Sequence, residues 1–295
     1  MSKQIYQIYD RIFKRIFSLS NLAIINLING LFHTNYPTDS ILQYTNKEFV
    51  SAPLEKRFAD VLVTIQGHPY HLEAQMTIDG SIVVRAFEYG FQYAMVNRDK
   101  DTVLHFPDPI IIYLNKGENI PETSSLVLEF GSQGVFTYEV RNFIFQEHEI
   151  SELNQKKMII LIPFHLLKLQ RIIQKTPTEE NFVLLQNLIQ DDILGSIKAN
   201  LTVGNITADD ANELRELTLQ LGGHIFAHYK KLGGYENMKA LLEGALELPL
   251  DKYRIRIDEL EQEKEAAIQE KAAVEQENQH LQEELRKLKE QMNTQ

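Results

Sequence analysis

The segment Arg57-Phe-Ala-Asp-Val-Leu-Val-Thr-Ile-Gln-Gly-His-Pro-Tyr-His-Leu-Glu-Ala-Gln-Met76 decides the fold of this chain. Its two apolar runs flank the turn Gly67-His-Pro69, which is typical of a β-hairpin with a loop longer than two residues. We therefore expect strands at about residues 57–65 and 69–76.

Acidic and amide side chains interrupt the apolar pattern of both predicted strands. Strand alternation places Glu73 and Gln75 on one face, and Leu72 and Ala74 on the other. Asp60 lies in the partner strand, and both Asp and Glu are poor strand formers. Carboxylates that converge from two strands are hard oxygen ligands for a divalent metal ion. The plainer alternative is a solvated strand face, which often carries such polar residues, and the sequence leaves both interpretations open.

Helices and a further strand flank the hairpin. Apolar residues recur every three or four positions in residues 5–17 and 21–32, which predicts two amphipathic helices. The run Asp79-Gly-Ser81 predicts a turn into a helix at about 82–97. Residues 109–114 are nearly all apolar, which is typical of a strand buried on both faces. This order predicts an α/β fold, a mixed sheet with helices on both faces.

The second half of the chain changes from strands to helices. Further strands are predicted at about 126–130, 136–145 and 158–162. Helices are predicted at about 164–174, 178–196, 207–232 and 235–246. We therefore divide the chain into an α/β domain at 1–163, a helical region at 164–250 and a C-terminal segment at 251–295.

The C-terminal segment has the heptad pattern of a coiled coil. One series of seam positions holds Tyr253, Leu260, Ala267, Val274, Leu281 and Leu288, and the companion series holds Ile257, Lys264, Lys271, Asn278, Leu285 and Met292. An Asn at an interior seam position favours in-register dimers at some loss of stability. We expect the chain to form a homodimer through this segment. The alternative is a solitary charged helix, which the two lysines on the seam make plausible.

The motifs resemble those of a known nuclease group. Asp60, followed by Glu73-Ala-Gln75, resembles the signature of the PD-(D/E)XK nuclease superfamily, with Gln in the usual Lys position. Residues Asp10-Arg-Ile-Phe-Lys14 and Arg85-Ala-Phe-Glu-Tyr89 resemble more narrowly the recombination-promoting nuclease and putative-transposase family of bacteria. The resemblance covers about residues 5–115 well and the helical remainder loosely.

The resemblance implies a metal-dependent DNA endonuclease linked to recombination or mobile elements. We expect Asp60 and Glu73 to bind Mg²⁺, with Mn²⁺ as a possible substitute, and the backbone carbonyl of Ala74 to supply another oxygen. Gln75 is placed to orient a water by hydrogen bonding, but it carries no charge. DNA is the expected partner, together with a second copy of the chain.

Because Gln75 is neutral, either another cation supplies the charge that a Lys would provide, or catalysis is weak. The candidates are Lys14 on the first helix and Arg85 near the start of the helix after the hairpin. Helix N-termini offer free backbone N–H groups to a phosphate. Lys14 has a simpler explanation as a solvated residue that forms an i,i+4 ion pair with Asp10.

Composition limits the class of protein. The chain has 295 residues, no cysteine and a net charge of −11. The absence of cysteine excludes disulfides and fits a cytoplasmic protein, and no apolar run is long enough to predict a membrane span.

The acidic balance argues against general nucleic-acid binding. However, residues 1–115 hold 10 basic against 11 acidic residues, so most of the excess acidity lies outside the proposed site. A catalytically silent fold that binds DNA or protein therefore remains the competing hypothesis.

Overall fold

The computed structural model describes residues 12–13, 15–45, 49–51, 55–57, 61–76, 78–98, 103–115, 120–176 and 178–226. All of them belong to one compact unit that spans residues 1–246. The predicted helix at 235–246 and the predicted coiled coil lie outside the described residues. So do Asp60 and Lys14.

The centre of the fold is a mixed sheet of six strands. Its strands are β1 (Leu42–Tyr44), β4 (Val61–Ile65), β5 (His68–Gln75), β6 (Asp108–Tyr113), β7 (Thr123–Glu129) and β8 (Val135–Ile144). The order across the sheet is β1-β4-β5-β6-β8-β7, and the pairs β5–β6 and β6–β8 are parallel, while the others are antiparallel. Strands β2 (Phe49–Ser51) and β3 (Glu55–Arg57) pair separately as a small antiparallel ribbon. The predicted α/β class with a mixed sheet is confirmed.

The described helices cover the sheet and then form a bundle of their own. They are α1 (Asn21–Phe32), α2 (Ile82–Val96), α3 (Ile150–Gln155), α4 (Leu166–Lys175), α5 (Glu179–Asn187), α6 (Gly195–Thr202) and α7 (Ala208–Phe226). Between α5 and α6 the chain continues as a π-helical segment, Leu188–Leu194. Residues Ile12, Phe13, Arg15 and Ile16 are also helical. No helix in the described part of the chain is long and apolar enough to cross a membrane.

Helix α2 covers one face of the sheet. Its residues Ile82, Val83 and Ala86 form a buried apolar cluster with Ile111 and Tyr113 of β6. In the β5–β6 register, Ile111 lies opposite Glu73 and Tyr113 lies opposite Gln75. Because neighbouring strands share a pleat, Glu73 and Gln75 face the same layer as α2. Ala74 lies opposite Ile112 and faces the other layer.

Helix α1 covers the opposite face. The ring of its last residue, Phe32, packs 4.6 Å from the ring of Tyr70 of β5. Arg141 of β8 donates a hydrogen bond to the carbonyl of Leu31, and its guanidinium lies 5.8 Å from the centre of the Phe32 ring. Gly30 allows α1 to pack closely against Met158, because a Cβ at position 30 would lie 2.8 Å from Met158 Sδ. The sheet is therefore covered on both sides, as α/β patterns require.

The predicted strand at 158–162 is wrong. The chain there forms a 3₁₀ helix, Ile159–His165, in which every residue is buried. A short apolar run does not by itself distinguish a buried strand from a buried helix. Pro163 also disfavours a strand that is paired on both sides, because it has no N–H to donate to a neighbouring strand.

Candidate active site

The candidate site lies at the carboxyl ends of the parallel strands β5 and β6. Gln75 is the last residue of β5, and its pairing partner Tyr113 is the last residue of β6. The chain leaves β5 through Met76, turns at Asp79–Ser81 and enters α2. In open α/β sheets, ligands bind at the carboxyl ends of such strands. The hairpin therefore places Glu73 and Gln75 at a usual position for a site.

Glu73 is a buried carboxylate two residues before the end of β5, with a relative exposure of 3%. Its Oε1 lies 3.0 Å from Nε2 of His71, which is also buried on the same face of β5. The His71 ring packs edge-on against Tyr89 of α2, at a centroid distance of 5.7 Å. A buried charge is costly unless it is paired or hydrogen-bonded. His71 therefore meets part of the hydrogen-bonding need of the Glu73 carboxylate.

His71 is a residue of the site that the sequence analysis did not single out, and its hydrogen bond with Glu73 is seen only in the structure. The i,i+2 spacing of the two residues is the signal that could have predicted the contact, since alternate residues of a strand share a face. The spacing alone does not show that the face is buried. Only the packing of α2 over the sheet shows that this face is buried.

Asp60 is next in sequence to Val61, the first described residue of β4. The Cα of Val61 is paired with that of Leu72, the neighbour of Glu73. The position of Asp60 itself lies outside the described residues. Within the residues that the structure describes, no group of three or more His, Asp or Glu side chains is placed to hold a metal ion. Of the predicted ligand side chains, the described region therefore contains only Glu73.

Arg85 lies in the first turn of α2, on the helix that covers the face of Glu73 and Gln75. Its guanidinium forms an ion pair with Asp79, with Nη2 and Oδ2 3.5 Å apart. Its buried Nε has no hydrogen-bond acceptor among the described residues. A buried donor without an acceptor costs free energy. Arg85 is thus held by its ion pair with Asp79, while its Nε is buried without an acceptor among the described residues.

The turn before α2 fixes the position of Asp79. Its Oδ1 accepts hydrogen bonds from the Ser81 backbone N–H at 2.9 Å and from the Ser81 hydroxyl at 2.8 Å. The backbone hydrogen bond, with help from the hydroxyl and from Arg85, lowers the pKa of Asp79 despite its partial burial. Asp79 is therefore ionised at neutral pH and orients Arg85. The sequence predicted the turn but not this ion pair.

The other described residues predicted for the site lie on β5 and α2. Gln75 is half-buried at the end of β5, and its backbone carbonyl accepts a hydrogen bond from Leu114 N at 2.9 Å. Glu88 is half-buried and Tyr89 is buried on α2. The structure brings Glu73, Gln75 and Arg85 to one side of the sheet. Ala74 faces the opposite layer, although its side-chain direction does not decide what its carbonyl can bind.

Comparisons with protein-family models, with curated proteins and with solved structures found no match to this chain.

Proposed function

We propose that this protein is a metal-dependent endonuclease that hydrolyses phosphodiester bonds in DNA, in a setting of recombination or mobile elements as the resemblance implies. The observation that carries the proposal is Glu73, a buried carboxylate near the carboxyl ends of parallel strands. Glu73 is next in sequence to Leu72. Leu72 pairs with Val61, the residue that follows Asp60. Buried carboxylates are usually paired or bound to a metal ion, so the position of Glu73 suits a metal ligand.

The donors of the proposed site suit Mg²⁺. Carboxylate oxygens from Asp60 and Glu73, with the carbonyl of Ala74, are hard ligands, and Mg²⁺ commonly uses one or two carboxylates together with water and substrate oxygens. When bound, the ion would lower the pKa of a coordinated water and polarise the scissile phosphate. Asp60 and Glu73 would supply its carboxylate ligands. His71 orients the Glu73 carboxylate through the 3.0 Å hydrogen bond.

Arg85 and Gln75 have separate roles in the proposed mechanism. The Arg85 guanidinium, oriented by Asp79, supplies positive charge to a phosphate oxygen. Arginine is well suited to phosphate because its charge is permanent and its donors are arranged as a planar fork. Gln75 orients the attacking water through its amide. Lys14 remains the alternative source of positive charge.

The competing function is a catalytically silent fold that binds DNA or protein. The hydrogen bond between Glu73 and His71 favours it, because a buried and already partnered carboxylate also serves as a purely structural group. The ion pair between Arg85 and Asp79 also favours the silent fold, because it gives Arg85 a purely structural role. In this alternative, the buried pair of Glu73 and His71 stabilises the sheet, and the protein functions by assembling with its partners.

A plasmid-cleavage assay tests the proposal. The full chain is incubated with supercoiled plasmid and Mg²⁺, Mn²⁺ or EDTA, and the parent is compared with Asp60→Ala and Glu73→Gln. We expect cleavage by the parent that requires metal, and loss of cleavage in both variants, because each removes a charged ligand. Glu122→Gln, at an exposed position before β7, is the matched control and should cleave like the parent.

Circular dichroism and thermal unfolding separate an active-site effect from misfolding. Glu73→Gln keeps the size of the side chain and its ability to bond with His71, so the fold should persist. Equal cleavage by parent and variants would remove these residues from the active site. A pure parent that cuts with none of the divalent metals would instead support the silent fold.

A further inference from the structure

Strand β7 forms one edge of the six-stranded sheet, and among the described residues no strand lies on its outer side. It pairs with β8 over all seven of its residues, from Thr123 to Glu129, without a bulge. At about 3.3 Å per residue, its free edge is about 23 Å long. The opposite edge of the sheet is β1, which has three residues. Of the two edges of this sheet, β7 therefore presents the long one.

The odd-numbered residues of β7 direct their backbone groups away from the sheet. At one end, the carbonyl of Glu122 accepts a hydrogen bond from Asn142 N at 2.8 Å. At the other end, Phe130 N donates one to the carbonyl of Gly134 at 2.9 Å, so the even-numbered positions bond with β8. Successive residues of an antiparallel strand direct their N–H and C=O groups to opposite sides. The outer edge therefore presents the N–H and C=O groups of Thr123, Ser125, Val127 and Glu129.

This edge lacks the features that usually prevent pairing between sheets. Soluble proteins commonly protect an edge strand with Lys, Pro, a bulge or a covering segment. Strand β7 contains no Lys, Arg or Pro, and Glu129 at its end is its sole charged residue. Its odd-numbered residues are exposed, and Val127 has a relative exposure of 63%. A long and unprotected edge is a template for pairing with another strand.

The strand is complementary to a second copy of itself. When a two-fold axis passes at Leu126, two antiparallel copies of β7 overlap over all seven residues. Ser125 then lies opposite Val127 of the second copy, and Thr123 lies opposite Glu129 of the second copy. In this register, each outward N–H group of one copy faces a carbonyl of the other. A second copy also brings a preformed strand, which loses less conformational entropy on pairing than a flexible peptide.

The same register places apolar side chains at the centre and polar side chains at the ends. Leu126 packs against the cluster formed by α2 and the sheet, and on this face it meets Leu126 of the second copy. On the other face, the exposed Val127 residues of the two copies are diagonal neighbours across the axis. Glu129 lies opposite a neutral Thr, so no like charges face each other. An apolar centre with a polar rim is typical of protein interfaces.

We propose that β7 is a self-association surface, through which two copies of this chain pair antiparallel about a two-fold axis at Leu126. The two six-stranded sheets then become one continuous sheet, with α2 of both copies on the same side. The inference does not depend on the proposed nuclease function, because β7 contains none of the residues proposed for catalysis. It also involves none of the heptad positions of the C-terminal segment.

Cysteine cross-linking of the full chain tests the inference, because the parent contains no cysteine. Leu126→Cys places one thiol of each copy next to the axis, where facing Cα atoms are about 4.5 Å apart. This distance suits a disulfide. Leu128→Cys is the matched control on the same face of β7. In the proposed register, position 128 lies opposite Ser124 of the second copy, so the two thiols are about 13 Å apart along the strand.

Under mild oxidation with copper phenanthroline in air, we expect Leu126→Cys to form the cross-linked dimer about tenfold faster than Leu128→Cys. Non-reducing electrophoresis measures both rates. Association through the C-terminal segment is the same in both variants, so the difference between them reports on β7. Equal rates, or a faster reaction at position 128, would overturn the proposal. So would a Leu126→Cys chain that stays uncross-linked, since the edge is then free or covered by another segment.

A charge at the edge provides the second test. Val127→Lys, added to the Leu126→Cys chain, places like charges on both sides of the axis and should slow cross-linking about tenfold. High salt should restore part of the rate, because it screens the repulsion. Thr137→Lys is the matched control, since this exposed residue lies opposite Val127 on β8, one strand farther from the axis.

The Thr137→Lys chain should cross-link at nearly the rate of Leu126→Cys alone. Circular dichroism and thermal unfolding check that both lysine variants fold, as expected for exposed positions. An equal loss of rate in the two lysine variants would indicate a general charge effect and would refute the interface. A Val127→Lys chain that cross-links as fast as its control would refute it as well.

Discussion

At the scale of single residues, Gln75 determines whether the proposed site is an unusual nuclease site or an inactive one. It stands where a Lys would be expected, at the end of β5 and half-buried. Gln75→Lys should keep or raise metal-dependent cleavage, because it restores a cation where negative charge develops. Gln75→Ala should lower the rate by about 10- to 1,000-fold, the scale of losing one stabilising donor.

Single-turnover cleavage of a short DNA duplex measures both Gln75 variants under one condition. A Gln75→Ala variant that cuts as fast as the parent would exclude Gln75 from catalysis. The positive charge would then have to come from Arg85 or Lys14.

His165 makes stability depend on pH. Its pKa is lowered to about 3 in the folded protein, while an unfolded His has a pKa of about 6.5. Between these values the unfolded chain binds a proton that the folded chain does not, so stability falls as the pH is lowered through this range. We expect His165→Leu to lose less unfolding free energy than the parent between about pH 7 and pH 4.

Urea unfolding at several pH values measures this difference. Because other groups titrate in the same range, the prediction concerns the difference between the two proteins rather than either curve. Parallel curves would show that His165 titrates with a similar pKa in the folded and unfolded states.

At the scale of secondary-structure elements, the approach of α1 to the 3₁₀ helix depends on Gly30. Replacing Gly by Ala within a helix usually stabilises it by about 0.5–1 kcal/mol. At Gly30, however, the new Cβ would lie 2.8 Å from Met158 Sδ and 3.0 Å from the backbone carbonyl of Lys156. We expect Gly30→Ala to destabilise the protein by about 1–3 kcal/mol, the usual cost of overpacking.

Gly80→Ala is the matched comparison. Gly80 is exposed, and a Cβ there would meet nothing within 4 Å. Denaturant unfolding should therefore give a nearly unchanged midpoint for Gly80→Ala and a lowered one for Gly30→Ala. A Gly30→Ala variant as stable as the parent would mean that Met158 moves aside without cost.

At the scale of the whole molecule, the C-terminal heptads predict self-association. The seam is weak because Lys264 and Lys271 occupy positions where Leu or Ile would pack. We therefore expect a dimer that depends on concentration and becomes weaker on truncation after Pro249. Multi-angle light scattering of the full and truncated chains over a range of concentrations measures this. If truncation leaves the dimer intact, the interface lies in the globular part.

The amino-acid sequence determined the local elements well. The helix at 21–32 and the strands near 69–76 and 109–114 follow from apolar periodicity, and each lies within a residue or so of its predicted bounds. Periodicity predicts such elements because each must bury one face or both. The sequence also placed Glu73 and Gln75 on one face of a strand, which needs only the alternation of side chains.

Other features depended on tertiary structure, because they arise from residues distant in sequence. The short strand β1 and the ribbon of β2 and β3 have no strong pattern of their own, and residues 158–162 have a pattern that fits either a strand or a helix. The burial of Glu73 follows from the packing of α2 across β5 and β6. The unpartnered Nε2 of His165 follows from the packing of helices around it. Sequence alone determines which residues can form a strand or helix, whereas contacts between distant elements decide which polar groups become buried and chemically useful.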